Sequence, residues 1–301
     1  ASNHTYCYLI SRVTLTNSLM PILDAILSAI TYLALCFILF LLGKWIHQLF
    51  QRKIQVQQEL VEKDNFAFAV AHVGYFIGLL LAIVGAVMGP SEGLFDDIIN
   101  ISAYGLLAIL LLNLSIVIND KIVLRKFSVY KEIIEDRNAG TGVIEGASAI
   151  GTGLIIMGAV SGEGGGFLTA VVFWVIGQLL LIVTAYLYSA IIPFDVHDQI
   201  ERDNVAVGLG FAGALISIAN LIRYGLMTDF FSWQESLTDV GIDVLIGLAF
   251  LPIVRWLTDK ILLPGRSLTD ELINQEKPNV GAGLIEAFAY VGGSVLITLC
   301  L

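Results

Sequence analysis

Four positions in this chain lie seven residues beyond an asparagine that opens a long apolar run. They are His72 after Asn65, Glu145 after Asn138, Phe211 after Asn204 and Glu286 after Asn279. At ~1.5 Å per helical residue, each side chain sits about 10 Å inside its run. A charge at that depth costs a few kcal/mol, so imidazole and carboxyl groups there either handle protons and cations or bond to facing helices. Glu145 shares a stripe with Asn138, Gly142, Ala149 and Thr152, and Glu286 shares one with Asn279, Gly283, Tyr290 and Gly293. Both acids therefore leave small, polar helix faces, which pack on protein rather than on lipid.

Asn113, seven residues before Asp120, matches His72 and Glu145 in depth. These three are expected to form one polar cluster in the first half of the chain. Phe211 and Pro252 stand at the corresponding places in the second half, which leaves Glu286 with no basic neighbour. Arg223 and Asp243 form a second candidate set, at similar depth near the opposite ends of their runs. A shift of 139 residues turns them into Val84 and Tyr104, so both charges are missing together from the first half. That favours an ion pair, structural or gating, because a single buried charge is the costly state. Asp239, one turn before Asp243, could join it. Lys44 and Arg255 are expected to extend to the membrane interface.

Eight apolar stretches must position these residues, at about 23–43, 66–89, 98–118, 139–160, 167–192, 205–227, 237–257 and 280–300. Each is long enough to cross a hydrocarbon core of ~30 Å. Hydrophobic residues make up 57% and charged ones 14% of the chain, and the mean hydropathy is +0.84. These values predict an all-α integral membrane protein with no separate soluble domain. Residues 1–21 are expected to be a leader, and 22–160 and 161–301 to be two four-helix halves. All of the sixteen Lys and Arg except Arg12 and Arg223 lie in or beside alternate connections, Arg125 and Lys126 among them. The intervening loops, such as "PSEGLFDD" and "TDFFSWQES", carry acids and no bases. The positive-inside rule then places the basic loops in the cytoplasm and both termini outside.

The chain repeats itself. A shift of 139 lays "EKDN" (62–65) over "ERDN" (201–204), and a shift of 73 lays "EKDNFAFAVAH" (62–72) over "EDRNAGTGVIE" (135–145). The unit is a two-helix hairpin present four times, each even span opening Glu-x-x-Asn-x-small-x-small. Asn65, Asn138, Asn204 and Asn279 are expected helix caps, with the nearby glutamate suited to the positive helix end. Ion or ligand binding at that motif is the other reading. The small pairs let neighbouring helices approach closely. Units with an even number of spans keep one orientation, unlike the inverted repeats of many transporters, and can surround a pseudo-symmetry axis.

The repeated hairpin, with "GTGVIEGASAIGTG" in its fourth span, resembles the YjfL-like family of uncharacterised bacterial inner-membrane proteins over about residues 22–301. The resemblance implies the fold and an inner-membrane location but no activity. A net charge of −10 argues against nucleic acid. No metal spacing, P-loop, dinucleotide fingerprint or nucleophile elbow occurs, so neither an enzyme nor a cofactor is expected. Two functions fit. One is a channel or transporter for protons or small cations, with Glu145, Glu286, His72 and Asn113 along its path. The other is a non-transporting membrane scaffold linked to envelope stress. Membrane lipid, a second copy of the chain or another membrane protein are the expected partners.

Overall fold

The computed structural model describes residues 3–122, 128–162, 164–263 and 265–301, with the side chains of 3–21 outside the description. Arg125, Lys126 and the side chains of the expected leader thus lie outside the described residues. The chain forms α1 (Asn3–Phe50), α2 (Phe66–Val87), α3 (Leu94–Ile122), α4 (Ala139–Ser161) and α5 (Phe167–Ile191). It continues through α6 (Val196–Glu201), α7 (Val205–Leu226), α8 (Trp233–Leu257), α9 (Leu268–Ile273) and α10 (Val280–Cys300). Among the described residues, 8 helices are long and apolar enough to cross a membrane, and the molecule is a multi-pass all-α membrane protein. The short α6 and α9, and π-helical turns at Gln58–Glu62, Lys131–Glu135 and Thr258–Leu262, lie at the end that carries the basic connections.

The four capped spans pack in series, α2 on α4, α4 on α7 and α7 on α10, while α1, α3, α5 and α8 form the layer behind them. An open row stands where a ring about an axis was expected, since no comparable seam joins α10 to α2. Small residues set its spacing. A Cβ on Gly142 would lie 2.3 Å from the Ala67 carbonyl oxygen, and one on Gly283 would lie 2.2 Å from that of Ala206. Backbones in such contact gain dispersion energy, which drives helix association where no hydrophobic effect operates. The exposed side of the row is a concave apolar groove of about 620 Å³, lined from all four spans.

Each capped span begins in one way. The side-chain oxygens of Asn65, Asn138, Asn204 and Asn279 accept from the amides of Phe68, Thr141, Val207 and Ala282, at 3.1, 2.9, 3.2 and 3.2 Å. The amide nitrogens of the first three reach forward into the following hairpin. Asn65 donates to the Ile133 carbonyl at 2.8 Å, Asn138 to that of Ile200 at 2.7 Å and Asn204 to that of Leu272 at 2.9 Å. One side chain thus satisfies a helix N-terminus and grips the next unit. The residue before the cap turns the chain through left-handed backbone, at Asp64 (φ 48°), Arg137 (φ 55°) and Asp203 (φ 57°). Pro278 holds that place in the fourth unit, where the pyrrolidine ring forbids positive φ.

The side chains that hold the cap asparagines come from outside the Glu-x-x-Asn motif. Glu59, Glu132 and Glu271 accept from the amides of Asn65, Asn138 and Asn279 at 3.0, 2.9 and 2.8 Å, and Gln199 serves Asn204 at 2.9 Å. The intervening turn carries the earlier acid back over the cap, where Glu62 and its equivalents cannot reach. Burial favours the protonated form of Glu59, but the Lys63 ammonium at 2.6 Å and the Asn65 amide outweigh it and hold the carboxyl below its ordinary value of 4.5.

Asn138→Ala should destabilise the protein by about 1–2 kcal/mol for the cap, and further because Glu132 and the Ile200 carbonyl lose a buried donor. Asn279→Ala, at a cap whose amide donates to Glu271 and, among the described residues, to no carbonyl of another hairpin, should cost less; thermal melts in detergent measure both. The contribution of Glu59 is present above its unfolded value and lost as pH falls through its lower folded one. Glu59→Gln should therefore lower Tm at neutral pH and flatten its decline on acidification.

Candidate functional site

Caps that start each even span at one depth place the seventh residue beyond them at one depth as well. Each of those residues meets the helix behind it in its own hairpin. His72 on α2 faces His47 on α1 with ring centroids 5.9 Å apart. Glu145 on α4 is the hydrogen-bond partner of Asp120 on α3. Phe211 on α7 stacks on Tyr188 of α5 at 5.1 Å. Glu286 on α10 is paired with Arg255 of α8. One position thus carries four different chemistries: imidazole pair, carboxyl pair, aromatic stack and ion pair.

Asp120 and Glu145 end in acceptors only when both are ionised, so a hydrogen bond between them requires a shared proton. The Asp120 Oδ1 and Glu145 Oε2 atoms are buried without a partner, and so is His72 Nδ1. His47, His72, Tyr75, Asp120 and Glu145 line a single cavity of about 340 Å³ at the basic end, walled by residues such as Phe50, Phe68 and Ile133. Asn113 stands behind this cavity. Its side-chain oxygen is 3.2 Å from His47 Nδ1, and its amide donates to the Tyr75 hydroxyl at 3.2 Å. Of the three residues expected to cluster, His72 and Glu145 line this cavity with His47, Tyr75 and Asp120, while Asn113 meets it through His47 and Tyr75. Asp120 was within reach of sequence reasoning, because the 73-residue shift that superimposes His72 on Glu145 also superimposes His47 on it.

A ladder of polar side chains continues from Glu145 along α4. Asn119 donates to Ser148 Oγ at 2.8 Å and approaches Thr152 Oγ1 at 3.4 Å, where the Gln178 amide also points at 3.4 Å. The carbonyl oxygens of Asn119 and Gln178 are buried and unpartnered. Trp174 Nε1 donates to Ser115 Oγ at 2.7 Å on the same side. Beyond Ile155 and Ile156, a second cavity of about 340 Å³ opens at the acidic end, bounded by Tyr32, Glu92, Asp97, Asn100, Ala159 and Thr169. Asp97 is bonded there by Tyr32, by Ser91 Oγ at 2.7 Å and by the Glu92 amide at 3.0 Å.

Two expectations for the second half require correction. Glu286, expected to lack a basic neighbour, is fully buried beside Arg255, which turns inward instead of extending to the interface. Arg255 also donates to Thr269 Oγ1 at 3.2 Å on α9. Three methylenes and a guanidinium let this side chain reach a position that backbone register alone would not match. Gly210 makes the room, since a Cβ there would lie 2.3 Å from Glu286 Oε2. Arg223 does not pair with Asp243. It donates from Nε to Asn220 Oδ1 at 3.1 Å and from Nη1 toward Met227 Sδ at 2.8 Å, and Asn220 in turn donates to Ser294 Oγ at 3.3 Å. Asp243 is buried against Gly225 on the other side, with Asp239 one turn away on α8.

No group of three or more His, Cys, Asp or Glu among the described residues is arranged to hold a metal ion. The family described as Domain of Unknown Function (DUF350) matches residues 21–160 and again residues 164–301. The chain is similar to a UPF0719 transmembrane protein of Aquifex aeolicus (strain VF5), 23% identical over 183 residues. That match takes in 60% of this chain and 65% of the relative, just under two thirds of its length. No solved structure matches the chain.

Glu286→Gln should destabilise the protein by about 3–5 kcal/mol, because it leaves the buried Arg255 guanidinium without its counter-charge. Gly210→Ala should act in the same direction by displacing the carboxyl. Glu145→Gln, whose partner is another acid, should cost far less in the same thermal melt.

Proposed function

This chain belongs to the DUF350 family, and we propose that it moves protons or small cations across the bacterial inner membrane. The observation that carries the reading is the Asp120–Glu145 carboxyl pair, set at the floor of the cavity at the basic end. Intramembrane carboxyls are costly and belong to ion and proton routes where structural pairing does not account for them. Glu286 is accounted for by Arg255; the Asp120–Glu145 pair has no basic partner among the described salt bridges.

The two cavities support the same reading. Ala149 lines one and Ala159 the other, ten residues apart on α4, or about 15 Å along the helix. Asn119, Ser148, Thr152 and Gln178 extend polar groups from the first cavity into the start of that interval. The concentration of Lys and Arg at one end argues that this end is cytoplasmic and both termini periplasmic. We read the four hairpins as copies of one ancestral unit, of which the first two retain the pathway and the last two clamp it. Transport rather than enzymatic chemistry is assigned to it. A scaffold role is favoured by one feature only, the apolar groove across α2, α4, α7 and α10, a surface suited to lipid or a second copy.

Reconstitution in proteoliposomes tests the pathway. A pH gradient, with a pH-sensitive dye inside, should dissipate faster with the protein than without it. Glu145→Gln and Asp120→Asn should each slow that flux at least about tenfold, equivalent to ~1.4 kcal/mol on the barrier, with unchanged melting. Flux that is absent from the wild type, or indifferent to both substitutions, would leave only the scaffold.

A further inference from the structure

The cavity at the basic end is far larger than a proton or bare ion needs. Its volume of about 340 Å³ would hold roughly eleven waters at ~30 Å³ each. Much of its wall is apolar or aromatic, from Leu49, Phe50, Phe68, Ile116, Tyr130 and Ile133. Such walls gain nothing from a hydrated alkali ion, and a divalent cation would require about six oxygen ligands that the site does not offer. They fit a ligand with an apolar body.

The polar end of that ligand is specified by what the floor lacks. Asp120 Oδ1, Glu145 Oε2 and His72 Nδ1 are buried without a hydrogen-bond partner, and each belongs to a residue lining the cavity. A primary ammonium carries three N–H donors and no acceptor. The two carboxyl oxygens accept from such a group, as does His72 Nδ1 in the tautomer protonated on Nε2, and the rings of Phe68 and Tyr75 line the same cavity for cation–π contact. We propose that this cavity binds an amphipathic organic ammonium ion, its head on the Asp120–Glu145 pair and its apolar body against the aromatic wall. The inference rests on the pathway reading of that pair and names its cargo.

Binding displaces a proton. The ammonium enters charged, its N–H groups bond to both carboxylates, and the proton that joined the two carboxyls leaves to solvent, so charge and atoms balance. Among the described residues, the groups facing the pair are His47 from α1, His72 and Tyr75 from α2, and Tyr130, with Arg52 and Lys53 at the rim and Lys44 near His72.

Benzylammonium and its neutral analogue benzyl alcohol test the proposal by titration calorimetry on the full chain in detergent, in two buffers of different ionisation enthalpy. Benzylammonium should bind saturably, at least about tenfold more tightly than benzyl alcohol, with a buffer-dependent heat that reports proton release. Asp120→Asn and Glu145→Gln should each weaken binding about tenfold and remove the buffer dependence. Ala71→Leu, which fills the cavity without touching the acids, should block binding and covers the case in which an acid variant fails to fold. Equal binding of the alcohol, no saturable binding of the amine, or binding indifferent to Ala71→Leu would overturn it. If proton flux persists in proteoliposomes while benzylammonium fails to bind, the ligand class falls and the pathway stands; if flux is absent as well, both fall.

Discussion

A single asparagine that must satisfy two backbones at once governs this fold. Inside a membrane interface, the amides at a helix start have few other partners, and a carbonyl at the end of a short helical segment has fewer still. Asn65, Asn138 and Asn204 serve both, accepting from their own helix and donating to the next hairpin. The result is a chain of hairpins in fixed register, each bound to its successor at the same height. The close glycine seams beyond the caps are possible because the register is already set, and they in turn make the row of α2, α4, α7 and α10 rigid.

Register has a chemical consequence. The same step along each capped helix meets the same level of the helix behind it, so one structural slot recurs with different occupants. Imidazoles fill it in the first hairpin and carboxyls in the second, while the third holds stacked rings and the fourth an ion pair. The first two occupants change their charge by gaining or losing protons; the last two do not readily do so. A stacked aromatic pair joins α7 to α5, and a hydrogen-bonded Arg–Glu pair joins α10 to α8, in the second half. The same slot therefore holds imidazole and carboxyl side chains in the first half, and a ring stack and an ion pair in the second.

The Arg255–Glu286 pair also illustrates why depth along a helix is an incomplete guide. Counted by backbone position, Arg255 belongs with the interface, and its guanidinium would be expected to turn toward water. The side chain instead spans about a turn of helix to reach Glu286 through space left by Gly210. Arg223 makes the converse point. Its depth suits Asp243, yet it points along its own helix to Asn220 and Met227, because rotation about the helix axis decides which neighbour is in range.

The amino-acid sequence by itself determined the eight spans, the four asparagine caps, the small residues two and four positions later, and the depth of the residue seven beyond. All of these depend on local quantities: apolar length, cap preference and rise per residue. It also held the correspondence between His47 and Asp120, visible once the first two hairpins are laid over each other. Only the tertiary structure decided which acid supports each cap, that the spans form a row and not a ring, and which of the two deep glutamates stands beside an arginine and which beside an acid. Those outcomes turn on helix rotation, on the path of the connecting turn and on the reach of long side chains, which are properties of packing between segments and not of any segment alone.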